Sequence, residues 1–306
     1  MSRRRINPMT AFGLPWVGGG VLHPVSEYQW FVDKNWGKAF GTGEAQDHPL
    51  ENLQDAIDKT VSGRGDVIYV GAGGAEVTET VSFNKSGISV IAGHYGMSRR
   101  AMGEYHSIYA ASTFTDGPVA TITAPCYIDG LAFASRDTGA TFWSGAAALI
   151  GGLGTAGPYG VHMNNCRFPK WGLDNRIGLA IEGSSNVEIS NCGFEGAFAS
   201  GIYVQGACGH LWLHDNDFSL ATYAVTHGAF SDAGVNTQMK YGPGNVTIGP
   251  TKFLESGSNA VLGSIYGNFF GTAVGTSTND LNVADMETLG LTCVGNEYAT
   301  EGPGPT

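Results

Sequence analysis

Met163-Asn-Asn-Cys-Arg-Phe168, Ile189-Ser-Asn-Cys-Gly-Phe194 and Leu213-His-Asp-Asn-Asp-Phe218 share one pattern. Each runs aliphatic, any residue, Asn or Asp, a small or polar residue, any residue, Phe. The phenylalanines are 26 and then 24 positions apart (194 − 168 and 218 − 194). A second pattern rides at nearly the same interval: Gly178-Leu-Ala-Ile-Glu-Gly183 and Gly201-Ile-Tyr-Val-Gln-Gly206 begin 23 residues apart (201 − 178). Recurrence at about 20–50 residues marks stacked units, each too small to bury its own apolar face.

The unit is too short for a pair of helices. Its runs alternate with period two (Val187-Glu-Ile189, Ile202-Tyr-Val204, Leu211-Trp-Leu213), the signature of half-buried strand. Short strands at a fixed repeat, broken by Gly, Asn and Ser, suit a coil in which identical positions superpose turn after turn: a parallel β-solenoid. Phe168, Phe194 and Phe218 then stack inside, as do Met163, Ile189 and Leu213. Asn165, Asn191 and Asp215 fall at the bends, where such side chains bond nearby backbone and tolerate left-handed dihedrals. Further copies are Ile128-Asp-Gly-Leu-Ala-Phe133, Ile248-Gly-Pro-Thr-Lys-Phe253, Ile265-Tyr-Gly-Asn-Phe-Phe270 and Cys293-Val-Gly-Asn-Glu-Tyr298. The aromatic ends at 133, 168, 194, 218, 253, 270 and 298 leave gaps of 35, 26, 24, 35, 17 and 28. The 17-residue gap is tight for one coil.

The chain of 306 residues carries 47 glycines and only 14% charged residues, a composition of extended β architecture. Its net charge of −11 argues against a nucleic-acid binder, which needs Lys and Arg to neutralise phosphate. Cys126, Cys166, Cys192, Cys208 and Cys293 are odd in number and widely spaced, which reads as buried free thiols, with Cys166 and Cys192 stacked. No spacing suggests a metal site, no fingerprint suggests a cofactor, and no apolar run would span a membrane. The basic start Met1-Ser-Arg-Arg-Arg5 leads into Pro and Gly rather than an apolar core, so no secretory signal is expected.

In chain order, residues 1–27 form a Pro/Gly-rich arm expected to rest on a partner through Arg3, Arg4, Arg5, Phe12 and Trp16. Residues 28–300 form the body, and 301–306 a tail. A helix is expected near 49–60, with Pro49 in its first turn and Leu50, Leu53 and Ile57 on its apolar face. Residues 94–117, 136–160, 226–246 and 271–288 read as loop excursions.

Phe31-Val-Asp-Lys-Asn35, the Gly41-Thr-Gly43 loop, Pro49, Asp55-Ala-Ile57, Gly65-Asp-Val-Ile-Tyr-Val70 and Gly71-Ala-Gly73 together resemble the opening segment of right-handed parallel β-helix proteins of the pectate-lyase-like kind, many of them phage-encoded. The resemblance spans about residues 28–298. It implies an all-β, single-domain right-handed parallel β-helix whose short N-terminal helix caps the core. It further implies a phage virion protein of the capsid-decorating or tail-spike type, assembled as a homotrimer.

With 163, 189 and 213 inward, their neighbours face out in columns. One column is Tyr127, His162, Glu188 and Trp212; the next is Asp129, Asn164, Ser190 and His214. On another strand Ala180 stacks near Tyr203, and Glu182 near Gln205. Tyr127, His162, Tyr203, Trp212 and His214 are therefore the candidate binding residues, for a host glycan or for a protein. A glycoside hydrolase needs two carboxylates about 5–10 Å apart. Glu188, Asp215 and Asp217 are the candidates, although Asp215 is explained as a bend residue. The expectation is a non-enzymatic virion structural protein, anchored to other virion proteins by its arm; the alternative is a tail spike that binds or degrades host-surface polysaccharide.

Overall fold

The computed structural model describes residues 28–34, 37, 40–71, 75–92, 107–111, 114, 117–134, 146–152, 156–169, 177–196, 200–220, 228–232, 236–248, 254–256, 261–271 and 290–298. The arm at 1–27, with Arg3, Arg4, Arg5, Phe12 and Trp16, and the tail at 301–306 lie outside them. Each turn of chain visits three sheets in a constant order, shown by Ser185–Ser190, then Gly193–Gly196, then Ser200–Gln205. Among the described residues the first sheet has ten strands, from Gln29–Val32 to Leu291–Val294. The second has nine, from Ala75–Val77 to Glu297–Tyr298, and the third seven, from Val81–Phe83 to Leu254–Ser256. Strands pair parallel and in register with the coil before and the coil after. The fold is a single-domain right-handed parallel β-helix, the hand that parallel crossovers adopt almost without exception.

Alternation decides what fills it. Val187, Ile189, Leu211, Leu213, Ile202 and Val204 are buried, while Glu188, Trp212 and Tyr203 between them are not. The phenylalanines superpose as expected. Ring centroids are 5.6 Å apart for Phe133–Phe168, 4.6 Å for Phe168–Phe194 and 4.8 Å for Phe194–Phe218, the last two pairs within 6° of parallel. Offset contact of this kind adds roughly 0.5–1.5 kcal/mol per pair beyond the burial itself.

The glycine pattern has two separate causes. A Cβ on Gly178 would stand 2.7 Å from both the Phe194 ring and the Gly201 carbonyl oxygen, so the ladder itself forbids a side chain there. Gly183 and Gly206, at the other end of the motif, hold φ of 55° and 75°, the left-handed turn out of the third sheet.

The bend from the first sheet to the second repeats one conformation. Asn165, Asn191 and Asp215 have φ of 53°, 54° and 54°, as expected of bend residues, and Gly130, Gly244, Gly267 and Gly295 take the same left-handed conformation. The next residue faces inward and carries a ladder that the repeat pattern does not reveal by itself. Asn216, Asn245, Asn268 and Asn296 each donate Nδ2–H to a main-chain carbonyl of the preceding coil: Ile189, Leu213, Tyr241 and Ile265, at 2.9–3.1 Å. Nδ2 of each of the first three donates again, to Oδ1 of the next asparagine, at 2.9–3.1 Å. Buried amides are tolerated because they are satisfied. Cys166 and Cys192 hold the same slot in earlier coils. Their thiols face the matching carbonyls of Ile128 and Met163 at 3.8 and 3.9 Å, a weak version of the same bond. All five cysteines are free thiols, four of them buried. Burial pushes the Cys126 thiol up to about 12, and burial together with the Cys192 contact raises that of Cys166.

Five expectations are corrected. The helix is Leu53–Lys59, not a segment starting at Pro49. Leu50 is instead bridged to Val32, its N–H donating to Phe31 O (2.8 Å) and its carbonyl accepting from Asp33 N (2.9 Å), which pins the chain as strand. Leu53, Ala56 and Ile57 then cover the end of the core. The copy ending at Phe253 is out of register. Leu213 pairs with Tyr241 and Phe218 with Thr247, so Tyr241 fills the aliphatic slot and Thr247 the phenylalanine slot. Phe253 itself lies outside the described residues. Residues 136–160 are not one loop: Ala146–Ile150 is a fully buried strand of the third sheet and Tyr159–Asn164 one of the first. Likewise Ser107–Ala110, Gly228–Asp232 and Asn236–Tyr241 are strands where loops were expected. Of the 271–288 excursion, residues 272–288 lie outside the described residues.

Candidate functional site

Register places Tyr127, His162, Glu188 and Trp212 side by side on the outer face of the first sheet, one per coil, and extends the row to Lys240. The adjoining row is Asp129, Asn164, Ser190 and His214. Both rows follow from the 163/189/213 alignment. Lys240 was assigned to a loop because its strand, Asn236–Tyr241, reads as polar; the signal missed was Met239 and Tyr241 alternating inward.

The two rows are knitted together. Glu188 Oε2 lies 3.0 Å from His162 Nδ1, and its Oε1 lies 3.1 Å from His214 Nε2. His214 Nδ1 lies 2.8 Å from Asp215 Oδ2. The His214 ring stacks on Trp212 with centroids 4.1 Å apart at 28°. Trp212 donates Nε1–H to the Gly242 carbonyl at 2.9 Å, and the Lys240 ammonium stands 5.9 Å from the indole centroid. Exposure grades along the set: 51% for the His162 side chain, 31% for Glu188, 12% for His214 and 47% for Asp215. Tyr127 donates its hydroxyl to Asp129 at 3.1 Å; burial first, and that carboxylate second, hold the phenol well above its usual range.

The other candidates stand apart. Tyr203 is on the third sheet, paired with Ala180 and packed against Ala146, Leu149, Ile177 and Ala180. Asp217 opens a strand of the second sheet, across the bend from Asp215, where its Oδ1 is buried without a hydrogen-bond partner. Arg167 on the same sheet pairs with Glu195 and lies over Gly193. Among the described residues no group of three or more His, Cys, Asp or Glu could hold a metal ion, and no helix is long and apolar enough to cross a membrane.

What the set can do follows from its bonds. Both oxygens of Glu188 and one of Asp215 already face imidazole nitrogens, so the acids best placed for proton transfer are engaged with each other's partners. What remains open is a row of an imidazole, an indole edge and an ammonium along the solenoid axis, with neighbouring coils about 4.8 Å apart.

No family model and no curated protein matches the chain. Among solved structures it is similar to pectate lyase Pel9A, with a TM-score of 0.51 and 13% identity over 92% of this chain and 79% of that one. It is also similar to the pectin methylesterase from Aspergillus niger, with a TM-score of 0.43 and 9% identity over 91% of this chain and 88% of that one. At 13% identity the likeness to the pectate lyase shows the parallel β-helix fold alone.

Proposed function

We propose that the protein is a non-enzymatic structural component of a phage virion, a capsid-decorating or spike-like β-helix that presents the outer face of its first sheet for recognition. Residues 1–27 anchor it to other virion proteins, and it assembles as a homotrimer. The observation that carries the non-enzymatic part is the engagement of Glu188 and Asp215 by His162 and His214, which leaves no opposed pair of open carboxylates among the described residues of this face. The virion part rests on the resemblance of residues 31–73. Deleting residues 2–26 is expected to abolish incorporation into the particle while circular dichroism of the purified body stays unchanged; normal incorporation of the truncated chain would refute the anchor.

A second reading is favoured by one observation. Trp212, 39% exposed, lies in one row with His162, Glu188 and Lys240, a set suited to a sugar's apolar face and hydroxyls. On that reading the protein is a tail spike that binds or cleaves host-surface polysaccharide. Capsular and pectic polysaccharides incubated with the protein should yield no new reducing ends and no unsaturated products. Activity that disappears in Glu188→Gln or Asp215→Asn would replace the structural reading with the enzymatic one.

A further inference from the structure

The buried asparagine ladder is unfinished at one end. Asn245 Oδ1 accepts the main-chain N–H of Asn216 at 3.0 Å and its Nδ2–H at 3.1 Å. Asn268 Oδ1 accepts the same two groups of Asn245 at 3.3 and 2.9 Å, and Asn296 Oδ1 those of Asn268 at 3.1 and 3.0 Å. Each rung thus hands two N–H groups to the coil that follows. Asn296 spends one Nδ2–H on the Ile265 carbonyl at 3.1 Å. Its main-chain N–H and its second Nδ2–H meet no acceptor among the described residues. Burial tells the same story independently. Cys293 holds the slot of Leu213, Tyr241 and Ile265, all 0% exposed, and Asn296 that of Asn216, Asn245 and Asn268, at most 2% exposed. Yet Cys293 and Asn296 are only partly buried. The opposite end of the solenoid is closed: Phe31 N–H donates to Gly43 O, Phe31 O accepts from Leu50 N–H, Asp33 N–H donates to Leu50 O, and Leu53, Ala56 and Ile57 cover the core.

We infer that the Asn296 end is a docking edge for a strand–bend–strand segment of another polypeptide. The segment lies parallel on Leu291–Val294 and Glu297–Tyr298, with an asparagine of its own in the Asn296 column. The ladder defines this occupant. Two N–H groups converging on one oxygen ask for a side-chain amide carbonyl, and the bend repeated in every coil sets where it stands. A second copy of this chain does not answer the need with either end. Its N-terminal end is closed, and its own Asn296 Oδ1 already holds two donors, so that end-to-end contact sets donors against donors. The inference does not depend on the virion reading, since it concerns the ladder and not the arm.

The probe is a synthetic peptide of residues 209–220, one strand–bend–strand of this chain with Asn216 in the slot. Added to the intact protein, it should shift the main-chain and side-chain amide signals of Asn296 in 15N-resolved NMR. It should also slow hydrogen exchange at the Asn296 N–H by about tenfold or more. The same peptide carrying Asn216→Leu keeps the bulk and loses the acceptor, and should bind about tenfold more weakly. Asn296→Asp keeps the oxygen that Asn268 uses but has no Nδ2–H, and should weaken the unmodified peptide similarly. Exchange in the free, unmutated protein needs no variant: the Asn296 N–H should exchange much faster than the Asn268 N–H. Equal protection of the two amides in the free protein, equal binding of the two peptides, or no binding of either would overturn the docking edge. So would a concentration-dependent dimer, seen by sedimentation, that the peptide competes apart, because the occupant would then be a second copy.

Discussion

Phe194→Ala lowers the free energy of unfolding by about 3–5 kcal/mol, measured by urea denaturation followed by far-ultraviolet circular dichroism. The ring is fully buried and lies between Phe168 and Phe218 at 4.6 and 4.8 Å, nearly parallel to both. Truncation removes two stacking contacts at once and leaves a hole that the neighbours cannot fill. Their backbones are held by pairing on both sides, Phe168 to Phe194 and Phe194 to Phe218. Gly178, whose lack of a side chain makes room for this ring, cannot supply atoms to the gap. Phe194→Leu keeps volume in place and should recover more than half of the loss. A loss under about 1 kcal/mol for the alanine variant would mean that the ladder is an arrangement without energetic weight.

Asp66→Ala is the second large loss, about 2–4 kcal/mol, because it removes a buried carboxylate and leaves the Val61 and Trp30 N–H groups without their acceptor. The carboxylate is wholly buried beneath the first coil. It accepts from Arg64 Nε (2.6 Å) and Nη2 (2.5 Å), from the Val61 N–H (3.1 Å) and from the Trp30 indole N–H (3.3 Å). Arg64 in turn covers the Tyr28 ring at 3.8 Å, so one side chain ties the first strand to the turn after the helix. Burial by itself would raise the Asp66 carboxyl, but the Arg64 bonds, the Val61 N–H and the Trp30 N–H outweigh it and hold it below the ordinary value of 3.8. A carboxyl lowered on folding stabilises the native state fully above its unfolded value, and that stabilisation drains away as pH falls through the folded value. Stability of the unmutated protein should therefore drop below about pH 4, and Asp66→Asn should flatten that part of the profile. Equal acid slopes in the two proteins would assign the acid sensitivity elsewhere.

Much of this was readable from the residues, and what escaped did so for identifiable reasons. The pattern at 163, 189 and 213 set the register, and from the register came both rows, including the placing of His162, Glu188 and Trp212 together, although in the second row Asp129 and Ser190 are buried rather than facing out. The register was lost after Phe218 because one coil swaps chemistries: Tyr241 replaces an aliphatic residue and Thr247 a phenylalanine, while Gly242 and Pro243 lengthen the bend. Size and apolarity were the signals being followed, and Thr has neither. The surviving mark was the dipeptide before the slot: Asp215-Asn216, Gly244-Asn245, Gly267-Asn268 and Gly295-Asn296 recur at gaps of 29, 23 and 28 (245 − 216, 268 − 245, 296 − 268). Ala146–Ile150 escaped for the opposite reason, since a strand buried on both faces shows no alternation. The bonds of Glu188 to two imidazoles lie beyond any pattern, because side-chain torsions rather than spacing decide them.

The in-register pairing makes the outside of the first sheet a ruler. Inward positions are committed to the stacks, but each outward rung, from Tyr127 through His162, Glu188 and Trp212 to Lys240, stands one graduation of about 4.8 Å from the last and answers to its neighbours on the face rather than to the core. Such a scaffold can be reinscribed one mark at a time, by selection or by an engineer, with the spacing between marks guaranteed by backbone alone.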